Sequence, residues 1–167
     1  MAAYTLISGD TTFEDGIELF RVQRVSDGLL GGYISGTHNL SQTGKCFVFV
    51  NGRVTGDARV EGDAEVHGKA SESALIRGDA RLFGLATGSC QLSGSAVVQG
   101  TIRDFAKVRD QAQIYGSVEG HGQAFGKSIV NGIVKDNARV GGSVVVNGTV
   151  GGSVTLSGIE VVNGILP

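Results

Sequence analysis

Three histidines, two cysteines and a few carboxylates are the side chains of this 167-residue chain that could carry chemistry. A histidine can act as a general base or bind a metal. His38, His67 and His121 could hold zinc only if their imidazoles converged, as a three-histidine centre requires. On the sequence period set out below they fall in different columns, so they form no ladder and no triad. Glu72, Asp104 and Asp136 share one column on alternate coils, which sets them roughly 10 Å apart, too far for one ion. Cys46 and Cys90 lie nearly three coils apart, beyond the limit of about 7 Å for a disulfide. Cys90 occupies a column of inward alanines and reads as an inert core residue. These grounds assign no metal, no cofactor and no catalytic residue.

The elements that position these side chains follow from an unusual composition. Glycine accounts for 28 residues, proline occurs once and tryptophan is absent. Many short strands joined by tight corners fit that balance. The charge is nearly balanced, at 14 basic against 16 acidic residues, which speaks against a nucleic-acid partner, because that needs a basic face. No apolar run approaches the roughly 20 residues of a membrane span. No basic stretch followed by an apolar one opens the chain, so a cytoplasmic location is expected.

Written in rows of sixteen, the columns become chemically uniform. One holds only glycine, from Gly52 through Gly100 to Gly164. Another reads Val50, Val66, Leu82, Val98, Ile114, Val130, Val146, Val162, and a third runs Val60, Ile76, Leu92, Val108, Ala124, Val140, Leu156. Ala58, Ala64 and Val54 head three more apolar columns, the second of which breaks only at Glu160. A period of this kind identifies a repeat architecture in which stacking supplies the core. The expected fold is all-β: a single-stranded parallel β-helix, triangular in section, with sixteen-residue coils.

Two further columns, headed by Gly56 and Gly62, carry glycine with occasional Glu or Asp. Together with the all-glycine column they mark three corners, each expected to need a left-handed backbone that glycine supplies without strain. Between corners, side chains alternate inward and outward. The same register sets Glu61 beneath Arg77 and Glu65 beneath Arg81. Residues 1–43 lack the period and read as a small capping segment of strands, followed by a solenoid of about seven and a half coils over 44–167.

The segment Leu19-Phe-Arg-Val-Gln-Arg-Val, then Gly31-Gly-Tyr-Ile, Asn39-Leu-Ser and Gly44-Lys-Cys-Phe-Val-Phe, leads into Gly56-Asp-Ala-Arg-Val. It resembles a family of phage, prophage and bacterial hexapeptide-like β-helix proteins that open with a leader of this spelling and continue in G-[DN]-A-x-V repeats. The resemblance covers the leader and the first three or four coils; Phe47 stands where that family usually shows Trp. It implies a left-handed helix and a phage or prophage origin, as a virion component or a binder of a host factor. It also raises a hexapeptide-type acyltransferase as an alternative, with a histidine base at a subunit interface. Such enzymes eject a loop from one coil to build their cleft, and the period here runs unbroken from about Val48 to Leu166. A filament-forming solenoid is a further alternative.

Two outward stacks suggest a small docking spot, His67 below Phe83 and Phe105 below His121. The coil around His121 is thin, with Gly122, Ala124 and Ser128 inside, which predicts a narrowing or a small cavity. The outward columns change from charged in the first coils to apolar in the last three, where Ile129, Ile133, Val145, Ile159, Val161 and Ile165 lie. An exposed apolar surface of that kind marks an interaction site. With no cap after the last coil, it is expected to serve self-association as a dimer or trimer, or to bind a protein partner.

Overall fold

In the computed structural model, residues 3–167 are described, and they form three parallel sheets wrapped around one core, with no α-helix among them. No helix is long and apolar enough to cross a membrane. The chain begins with two antiparallel strands, β1 (Tyr4–Glu14) and β2 (Ile17–Arg24). Strand β3 (Leu30–Ile34) pairs antiparallel with β2 on one side and parallel with Arg53–Val54 on the other. From there each coil lays down three two-residue strands, such as Arg53–Val54, Arg59–Val60 and Glu65–Val66. Each pairs with its counterpart sixteen residues on, as Arg81 does with Val97. The three sides become sheets of eleven, seven and eight strands.

The alternation read from the sequence sets the core. Every inward position from Val54 to Val150 is buried. Only in the last coil does the packing loosen, where Val154, Leu156 and Leu166 are half-buried.

The first coil departs from the period. Tyr33 pairs with Arg53 and Leu40 bridges Val60, both twenty residues on, whereas Phe47 pairs with Glu65, eighteen on. Two residues are thus inserted between Leu40 and Phe47, and two more between Val48 and Arg53. Val48, not Val50, occupies the column of Val66, and Val50 is exposed. The stack of parallel coils therefore starts within the segment 1–43, at β3, and only the β1–β2 hairpin stands outside it. Asn39 fastens this first coil. It is fully buried, donates to the carbonyls of Gly56 and Ala58, and accepts from Ser35 and the Gly36 amide. The Tyr4 hydroxyl donates to the Leu40 carbonyl at 2.9 Å, tying β1 to the same turn. The hairpin tip reaches down the outer face of its sheet, where Glu14 pairs with Lys69 and Arg53.

The corners are of two kinds. At the columns headed by Gly56 and Gly62 the backbone is left-handed, with φ of +63° and +71°. Glu72, Asp104, Asp110 and Asp136 adopt the same conformation. The all-glycine column does not, contrary to the sequence expectation, since no member of it has positive φ. Its requirement is close approach. A Cβ on Gly100 would overlap the carbonyl oxygen of Gly116 in the next coil, and Gly68, Gly84, Gly116, Gly132 and Gly148 repeat that contact.

Candidate functional site

The apolar residues of the last three coils do not form one continuous face. Ile129, Val145 and Val161 stack along one sheet, and Ile133 and Ile165 lie on another with Thr149 between them. The corner separating the two columns carries a hydrogen-bonded ladder, in which Asn131 donates to Asn147 and Asn147 to Asn163, each at 2.8 Å. Ile129 and Val145 are half-buried beneath their neighbours, and Ile133 is 38% exposed. Exposure gathers in the last coil, at Ile159 (92%), Val161 (62%) and Ile165 (77%). There the strands Thr155–Leu156, Val161–Val162 and Ile165–Leu166 each close their sheet. Among the described residues nothing pairs with their outer backbone edges, the kind of edge on which another strand can form.

The two aromatic stacks form as expected but lie at different corners. His67 and Phe83 stack at 4.6 Å, and Phe49, shifted into line by the inserted residues, adds a third ring 4.2 Å from His67. Phe105 and His121 stack at 5.0 Å on the corner where Asp104 sits. Rings stacked coil upon coil turn their edges outward, so each stack is a narrow ridge. Beside the first ridge, Glu65 pairs with Arg81 at 3.4 Å. Glu61 and Arg77 share a column without forming an ion pair.

The carboxylates singled out by their spacing do structural work. Asp104, Asp110 and Asp136 accept the corner amides of Gly120, Gly126 and Gly152, each at 3.0 Å. Glu72 instead accepts the Thr87 hydroxyl at 2.8 Å. The Glu119 carboxyl is lowered from its ordinary value because Arg103 donates to it, with Ser117 assisting. Among the described residues no three metal-ligating side chains converge.

Neither thiol is activated. Burial pushes Cys90 up to about 12 and also raises Cys46. Cys46 borders a cleft of about 460 Å³ between the hairpin and the first coil, lined also by Arg24, Val25, Lys45 and Phe47. Of the side chains singled out as able to carry chemistry, only Cys46 lines it.

In the thin coil the strands stay in register. A Cβ on Gly122 would meet the carbonyls of Glu119 and Val134 at 2.9 and 3.0 Å, so the backbone has closed into the space at that point. Ser128 is fully buried there, and its hydroxyl has no hydrogen-bond partner among the described residues.

No family model matches the chain, and no curated protein shows significant similarity to it.

The carboxylates were placed at corners from the sequence, but their acceptance of the next coil's amide, the inserted residues of the first coil and the asparagine ladder were not recognised. The ladder had a legible signal, since Asn131, Asn147 and Asn163 recur every sixteen residues before a glycine.

Proposed function

We propose that this chain is a non-catalytic structural or binding solenoid that acts by association, with copies of itself and with a protein partner. The observation that supports this reading is the last coil. Ile159, Val161 and Ile165 are its most exposed apolar side chains, and they sit beside three strand edges that pair with no strand among the described residues. Apolar surface next to open edges favours burial against another chain. Closed symmetry gives a dimer or trimer, whereas head-to-tail stacking gives filaments. The resemblance of the leader supports a phage or prophage origin, with the protein working in the cytoplasm as a virion component or as a binder of a host factor. Light scattering over a dilution series tests the reading. A discrete dimer or trimer that dissociates on dilution is expected, and a monomer at every concentration would overturn self-association.

A further inference from the structure

We infer that Asn163 is a site of spontaneous deamidation, and that the solenoid shields the equivalent asparagines of the preceding coils. Four asparagines precede glycine: Asn51, Asn131, Asn147 and Asn163. This dipeptide favours the reaction because glycine carries no side chain to hinder attack by its own nitrogen. All four are exposed, so exposure does not separate them.

Hydrogen bonding does. The amide of Gly132 donates to the Val146 carbonyl at 2.9 Å, that of Gly148 to Val162 at 3.1 Å, and that of Gly52 to Phe49 at 2.6 Å. The Gly164 amide has no backbone acceptor among the described residues. The side-chain amides of Asn131 and Asn147 are spent as ladder donors, whereas that of Asn163 donates to nothing among the described residues and only accepts, at Oδ1, from Asn147. The backbone around Gly132 and Gly148 is pressed against the glycine carbonyl of the next coil, while nothing lies within 4 Å of a Cβ placed on Gly164. Position 163 alone combines a glycine nitrogen with no backbone acceptor among the described residues, a side-chain carbonyl polarised by the Asn147 donor, and open space around the glycine.

The reaction needs only water. The Gly164 nitrogen, deprotonated by solvent base, attacks Cγ of Asn163. A C–N bond forms to Cγ, the bond from Cγ to the side-chain nitrogen breaks, and ammonia leaves with a proton from water. Water then opens the succinimide at either carbonyl, leaving aspartate or isoaspartate. One water is consumed and one ammonia released. The product sets a carboxylate between Val161 and Ile165, so ageing would charge the exposed apolar surface of the last coil.

The test is peptide mapping of the folded protein held in mildly alkaline buffer, with isoaspartate detection. Wild type and Val161→Lys are compared, because a covered last coil would protect Asn163 in the wild type only. Asn163 is expected to convert on the order of tenfold or more faster than Asn131 and Asn147, as the loss of a backbone hydrogen bond implies. Gly164→Ala, whose methyl enters open space, should slow conversion at 163 by a similar factor. Conversion of Asn131 or Asn147 as fast as Asn163 would overturn the inference, as would an intact Asn163 in both proteins. Neither result depends on whether copies associate.

Discussion

The carboxylate of Asp104 accepts the backbone amide of Gly120, sixteen residues further on, at 3.0 Å. Asp104 is left-handed, with φ of +61°, and the glycine it caps sits at the same corner of the next coil. A left-handed aspartate costs backbone energy that glycine avoids, but here it satisfies an amide that a glycine could not reach. Asp104→Ala keeps the strained backbone and loses the acceptor, so it should destabilise by about 1–2 kcal/mol. Asp104→Gly loses the acceptor but relieves the strain, and should stay within about 1 kcal/mol of wild type. Denaturant midpoints check the order of the two. If Gly cost more than Ala, the corner assignment would be wrong.

The all-glycine column gives a sharper contrast. Gly100 has an ordinary backbone yet tolerates no Cβ, because the Gly116 carbonyl occupies that place. Gly100→Ala should therefore cost about 3 kcal/mol or more, the upper range for overpacking. Gly56→Asn is the control. Gly56 is left-handed, a conformation asparagine accepts, and its Cβ would lie 3.1 Å from the nearest atom. Thermal melts should show the alanine variant far below the asparagine variant.

These cases show what the sequence could and could not reveal. The sixteen-residue period and the in–out alternation were legible because every coil from Val54 onward repeats them, and the buried set follows the columns residue by residue. The first coil was illegible because its four inserted residues move Val48 into the place that strict counting gives to Val50. The glycine columns looked alike because a left-handed corner and a close coil-to-coil approach select the same residue for different reasons. The apolar surface was over-read as one face, because a column shows neither the asparagine ladder between two sheets nor how far a neighbouring coil covers Ile129 and Val145.

Ser128 carries a fully buried hydroxyl without a partner, in a column where the four preceding coils have Ala64, Ala80, Ala96 and Ala112. An unsatisfied buried hydroxyl costs about 1–3 kcal/mol. Ser128→Ala should thus raise stability by about 1 kcal/mol, measured as a higher denaturant midpoint with an unchanged slope. A loss of stability would mean the hydroxyl is satisfied.

Cys90 links the core to alkaline pH. Burial holds its thiol protonated up to about 12, against 9.0 for a free thiol. The folded state keeps its proton where the unfolded chain loses it. The resulting stability is present below about 9 and is lost as pH rises from there towards 12. Cys90→Ala should flatten that part of the pH–stability curve. In the native protein near neutral pH, a thiol reagent should label Cys90 only after unfolding, and rapid labelling of the folded protein would contradict the buried assignment.

The central functional claim is that the last coil, rather than a lateral face, carries association. The most direct test is the native mass of Val161→Lys and Ile165→Lys beside wild type, with circular dichroism to confirm that each variant is folded. The account expects a wild-type oligomer, folded variants of unchanged melting temperature, and a shift to monomer. Folded variants that keep the wild-type mass would show that association runs through another surface and contradict the claim.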